Sequence, residues 1–169
     1  MYFPRSFLLA WAGTGTSADF VRGLLYDASS GTSGGSPIAL GQSTFTYVPE
    51  TALNTASGQM LVVWIQIDPV GGGWRPFGRF VDGAGTPATS ASLRLSSSAG
   101  AYDANSLAYN ALSQSFFLVT HGSDTAQDVG FEIAGDGTPL GEASAVTSVS
   151  QLNMTGAFNP RLAASQWQP

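Results

Sequence analysis

Aromatic rings set beside carboxylates and amides are the residue types that recognise sugars. A flat ring covers the apolar face of a pyranose, and Asp or Asn bonds its hydroxyls. Tyr47, Asp68, Trp74, Tyr102, Asp103, His121 and Asp124 fit that chemistry, and each falls in or beside a polar segment. The longest such segment runs from Ile65 to Pro76 and sets Trp74 directly after Gly71-Gly72-Gly73. It reads as a glycine hinge that presents the indole ring. Glycans are therefore the expected ligands, and these side chains the candidate ligand-binding residues.

Other chemistries find little to work with. There is no Cys and a single His, so thiol chemistry, zinc-thiolate sites and multi-histidine metal sites are excluded. No Gly-x-Ser-x-Gly elbow occurs, and His121 alone would have to serve any triad. Gly135-Asp136-Gly137-Thr138 has the look of a calcium-loop fragment but lacks the further carboxylates and the distal Glu, so it reads as a turn. A glycosidase would need two acids about 5–10 Å apart. Asp68, Asp103 and Asp124 could supply them, but nothing in the sequence brings them together. The expectation is a non-catalytic binding module with no metal and no cofactor.

Composition narrows the partners. The chain has 169 residues, 43% hydrophobic and only 10% charged. That is one domain with enough length for a real core. All 6 cations are Arg, against 11 acidic residues, for a net charge of −5. Nucleic acid and anionic membrane surfaces need clustered positive charge, so neither is expected. No apolar run approaches the ~18 residues of a membrane span. The segment Met1 to Gly13 has the charge and apolar stretch of a short signal peptide. It also matches an internal repeat, so it is expected to be a strand of the folded domain.

Positioning such side chains requires strands. Short apolar runs such as Met60-Leu61-Val62-Val63-Trp64-Ile65 and Phe116-Phe117-Leu118-Val119 are bounded by Gly, Ser, Asp and Pro. This is strand patterning, and no amphipathic helix is evident. The runs recur in order. Phe7 to Trp11, Met60 to Trp64 and Phe117 to His121 correspond, which aligns His121 with Trp11 and Trp64. A second run follows in each, beginning at Gly23, Gly78 and Gly130 and entering a turn; the later turns end in Thr-Pro. A third run lies at 38–40, 91–95 and 143–147. A fourth lies at Thr51 to Asn54, Leu107 to Asn110 and Leu162 to Ser165. The units are approximately 7–54, 60–110 and 117–166.

Leu107-Ala108-Tyr109-Asn110, Leu61-Val62-Val63-Trp64 and Gly78 to Pro87 together resemble blade repeats of β-propellers in bacterial secreted and surface proteins. The resemblance implies an all-β fold of three four-stranded blades and an extracellular or cell-surface location. Trp11 and Trp64 recur at equivalent strand ends, which reads as packing between blades. The patterning alone also admits a β-sandwich. Closed propellers carry about four to eight blades, so three leave open edges. The expected partner is a second copy, giving a homodimeric ring of about six blades with the C-terminal strand of each copy on the N-terminal strand of the other. The alternative function is a self-assembling structural subunit, ring or filament, with no small-molecule ligand.

Overall fold

The computed structural model describes residues 6–13, 19–43, 49–96, 100, 102–122, 127–141 and 144–145. Among them there is no helix, and the strands form three antiparallel sheets. Sheet 1 holds β1 (Ser6–Gly13), β2 (Asp19–Asp27), β3 (Thr32–Ser33) and β4 (Ile38–Ser43). Sheet 2 holds β5 (Glu50–Leu53), β6 (Met60–Ile67), β7 (Trp74–Val81) and β8 (Leu93–Arg94). Sheet 3 holds β9 (Tyr102–Asn110), β10 (Ser115–Gly122), β11 (Gln127–Ala134) and β12 (Ser144–Ala145). Sheets 2 and 3 run in chain order, and no sheet closes on itself. In sheet 1, β3 and β4 both pair with β2, opposite β1. Strands β5 and β9 lie on β6 and β10; β1 has no counterpart of them among the described residues. The fourth run at Leu162 to Ser165 lies outside those residues.

Pairing registers make the repeat exact in space and correct one alignment. Gly23 stands opposite Ala10, Gly78 opposite Val63, and Gly130 opposite Val119. On the other side, Leu53 pairs with Met60 and Tyr109 with Phe116. Both frames make Met60 equivalent to Phe116, and Val63 equivalent to Val119. The residue that takes the place of Trp11 and Trp64 is therefore Thr120, not His121. A one-residue slip reverses the face of every side chain, so His121 belongs to the opposite face of its sheet.

Strand alternation gives each sheet two faces, and these stack in a fixed order. One face of sheet 1 (Leu8, Val21, Leu40) packs on the face of sheet 2 that carries Val62, Trp64, Phe77 and Val81. The other face of sheet 2 (Leu61, Val63, Ile65, Phe80, Leu95) packs on the face of sheet 3 that carries Leu107, Phe116, Leu118, Phe131 and Ile133. By register, Leu8 matches Leu61, and Val62 matches Leu118. The same face thus meets the same face twice. The mid-strand glycines follow from this packing. A Cβ on Gly23 would lie 3.1 Å from both Leu8 and Leu40, and one on Gly78 would lie 2.8 Å from Leu95 and 3.1 Å from Leu61. Equivalent leucines fill the space that a side chain would need.

The β5–β6 and β9–β10 turns are also copies. Asn54 Oδ1 accepts from the amides of Ala56 and Ser57, and Asn110 Oδ1 accepts from those of Leu112 and Ser113. Each turn has a left-handed residue at its fifth position: Gly58 at φ 74° and Gln114 at φ 53°. A side chain in that region is disfavoured by about 1–2 kcal/mol, partly offset by the greater chain entropy of glycine. Gln114→Gly is expected to stabilise the protein by up to about 1 kcal/mol, raising the melting temperature by about 2–4 °C in a calorimetric scan.

Candidate functional site

The topology carries the sugar-site candidates to one end of sheets 2 and 3. Asp68 follows the last residue of β6, Trp74 begins β7, Tyr102 begins β9, and His121 lies near the end of β10. A backbone bridge joins Trp74 to Gly100, and Tyr102 pairs with Gly122. Asp103 lies within β9. Tyr47 and Asp124 lie outside the described residues. The side chains brought to this end are engaged in packing and ion pairing. Tyr102 is buried, edge-on to Phe131 with ring centroids 5.6 Å apart. Trp74 is half-buried against the core between sheets 2 and 3. It does not stand on a hinge. Gly72 and Gly73 take φ values of 64° and 74° in a tight turn whose backbone bonds return to Asp68.

Asp68 organises that turn. Its Oδ1 accepts from the Val70 amide at 3.0 Å, and its Oδ2 lies 2.9 Å from Arg75 Nε and 3.4 Å from Arg94 Nη2. The carboxyl is itself buried. The Val70 amide, then the Arg94 and Arg75 charges, hold its pKa below the ordinary 3.8 against the opposing effect of burial. With the folded pKa depressed, the stabilisation is in full above the unfolded carboxylate value. It is lost as pH falls from there through the folded pKa. The arginines are the partners that spacing alone does not reveal: Arg75 comes from the hairpin fold-back and Arg94 from β8.

His121 and Asp128 face each other across β10 and β11, both buried, with Nδ1 3.1 Å from Oδ1. They occupy the positions that Ile65 and Pro76 hold in sheet 2. Among the described residues no cluster of three or more His, Cys, Asp or Glu side chains could hold a metal. No helix there is long and apolar enough to cross a membrane. Beside this pair, the Oγ1 of buried Thr120 has no hydrogen-bond partner. A buried hydroxyl without a partner costs roughly 1–3 kcal/mol. Thr120→Val keeps the shape and removes the hydroxyl, so the urea midpoint should rise by the equivalent of about 1 kcal/mol or more.

Trp64 is fully buried between sheets 1 and 2, and its Nε1 donates to Gln66 Oε1 at 2.6 Å. Trp11, at the equivalent position, lies on the face of sheet 1 turned away from sheet 2. Phe7 and Leu9 share that face and are 59% and 53% exposed, whereas Val62 and Leu118, the equivalents of Leu9, are buried. Arg22 is exposed there too, its guanidinium 4.5 Å from the Phe20 ring centroid. The hydrophobic pattern marks Phe7 and Leu9 as strand residues. It carries no sign that their face stands open. Comparison with protein families, with curated proteins and with solved structures finds no match.

Proposed function

We propose that the chain is a propeller-type assembly subunit: three blades that associate with a second copy to complete a ring, with no catalytic role. The observation that carries this reading is the exposure of Phe7 and Leu9 on a face whose equivalents in sheets 2 and 3 each lie against a neighbouring sheet. Burying a side chain of that size stabilises by about 1.5–3 kcal/mol. Among the described residues no strand pairs with the outer edge of β1, whose row of backbone groups is a template for further pairing. Two copies double the number of sheets and bring the ring within the about four to eight blades of closed propellers. In that ring Trp11 packs between blades as Trp64 does within the chain.

Glycan recognition is the weaker reading. The Asp68 carboxylate is already held by two arginines and the Tyr102 ring by Phe131, and Trp74 is only partly open.

Sedimentation velocity tests the proposal. The wild-type chain is expected at twice its 17.4 kDa monomer mass. Leu9→Arg puts a charge on the open face and should weaken association at least about 100-fold, a loss of about 2.8 kcal/mol. A wild-type chain that stays monomeric at high micromolar concentration overturns the reading.

A further inference from the structure

We infer that the outer edge of β1 is paired by the run at 162–165 of a second copy, in one register: Leu162 opposite Leu9, Ala163 opposite Leu8, Ala164 opposite Phe7 and Ser165 opposite Ser6. This rests on the assembly reading and names the strand through which the copies join.

Strand β1 has the residues of an interior strand. Its counterparts β6 and β10 are each paired along both edges, by β5 and β7 and by β9 and β11. Among the described residues β1 is paired along one edge only, by β2. Strands built to stand at an edge carry charges, a proline or a bulge that keeps other chains off. The eight residues Ser6–Gly13 hold no charge and no proline, and their pairing with β2 runs without a shift.

The chain carries a third copy of the strand that fills this place elsewhere. Ala52 stands opposite Leu61, and Ala108 opposite Phe117. In the glycine frame Leu61 and Phe117 are the equivalents of Leu8. Leu162-Ala163-Ala164 has alanine at the same place as Thr51-Ala52-Leu53 and Leu107-Ala108-Tyr109, so Ala163 falls opposite Leu8 and the rest of the register follows. Leu162 and Ala164 then stand beside Leu9 and Phe7 on the open face, since directly opposed residues share a face. Arg161 falls where half-buried Glu50 stands, a position that takes a charge.

Unlike the other two runs, this one is not built to fold back through the hairpin of the repeat. Those hairpins place a left-handed residue four positions after Asn54 and Asn110: Gly58 at φ 74° and Gln114 at φ 53°. Ser165 takes the place of the capping Asn, and four positions on stands Pro169. The proline ring holds φ at about −65°, which forbids that turn. The run therefore suits an edge that already exists, and the edge of β1 has the matching residues.

Closing β1 with the chain's own run would make a ring of three blades, below the about four to eight of closed propellers. Two copies exchanging runs make a two-fold pair, the commonest closed assembly. The connection has slack for the crossing. Leu162 lies 18 positions after Ser144, whereas Thr51 lies 13 after Ile38 and Leu107 lies 14 after Leu93; each starting residue stands opposite a mid-strand glycine. Four or five more residues extend the reach by about 13–18 Å. Pairing at this edge asks nothing of the outer face of sheet 3, where Ser106, Val119, His121 and Asp128 are already buried.

The chain has no cysteine, which makes disulfides a clean probe. Opposed residues of antiparallel strands have Cα atoms about 4.5–5.5 Å apart, within disulfide reach, and a slip of two residues takes them to about 7–8 Å, beyond it. Two matched pairs are made, each within one chain: Ser6→Cys with Ser165→Cys, which are nearly isosteric changes, and Phe7→Cys with Ala164→Cys. They are oxidised at a concentration where the wild type sediments as an oligomer. Both are expected to give covalent dimer on a non-reducing gel, at about tenfold or more the yield of the mismatched pair Ser6→Cys with Ala163→Cys. A covalent monomer with an internal disulfide overturns the exchange, since the run then closes its own chain. Equal yield from the mismatched pair overturns the register. Dimer from Ser6→Cys alone, at the yield of the matched pair, overturns the inference in favour of β1 against β1. No disulfide in either matched pair, with the wild type still oligomeric by mass, overturns the pairing and leaves association standing. A monomeric wild type removes the assembly reading as well.

Discussion

Trp64→Ala is expected to cost about 3–5 kcal/mol, a large share of the roughly 5–15 kcal/mol that holds a domain of this kind together. The indole is the largest fully buried side chain among the described residues and lies in the seam between sheets 1 and 2. It sits on Gly41, where a Cβ would come 2.4 Å from Cζ2 and 2.8 Å from Cε2. The glycine exists for the ring. Gly41→Ala alone should therefore destabilise by about 1–3 kcal/mol through overpacking. Paired with Trp64→Ala, the same change should cost much less, because the space it needs has been vacated. The Gln66 carbonyl, left without its indole donor, contributes equally to the two proteins that carry Trp64→Ala and cancels from the cycle. Urea unfolding of the four proteins measures the coupling. A coupling under about 0.5 kcal/mol would mean that Trp64 does not rest on Gly41, and the account of the seam would fail.

The strands were legible because their rules are local. Alternating apolar runs, Thr-Pro turns and recurring glycines name β6, β7, β10 and β11 with no knowledge of the rest of the chain. Gly23, Gly78 and Gly130 are also the better frame for the repeat. At Gly23 and Gly78 they mark backbone positions crowded by two leucines, a requirement that loop insertions do not move. Aromatic residues are a poorer frame. Matching His121 to Trp64 follows chemical likeness across loops of different length, and the error of one residue places the side chain on the wrong face. The candidate site was legible only in outline. The ends of β6, β9 and β10 do come together with the start of β7, as their order along the chain implies. Whether Asp68 stands free for a ligand depends on Arg75 and Arg94, and the second of these comes from another strand. Whether Phe7 is core or surface depends on what covers sheet 1, which no local pattern contains.

Two glycines at equivalent turns separate backbone conformation from packing, and they give the second large effect. Gly85 and Gly137 both have left-handed φ, +83° and +93°. An alanine in that region is disfavoured by about 1–2 kcal/mol wherever it stands. Around Gly85 there is room, since a new Cβ would meet Ile38 Cδ1 at an ordinary 3.4 Å. Around Gly137 there is none, with Leu93 Cδ1 at 2.6 Å and Phe80 Cε2 at 3.0 Å. Gly85→Ala should therefore cost about 1–2 kcal/mol, and Gly137→Ala about 2–5 kcal/mol once overpacking adds to the backbone term. Leu93→Ala removes the nearest obstruction. In that background Gly137→Ala should fall back toward the cost of Gly85→Ala, a convergence that a purely conformational effect cannot produce. The measurement is the shift in urea midpoint at constant slope. Equal costs for the two glycines in the wild-type background would show that the turn of sheet 3 does not seat on sheet 2. The repeated stacking step of sheet 1 on sheet 2 and sheet 2 on sheet 3 would then lose its second instance.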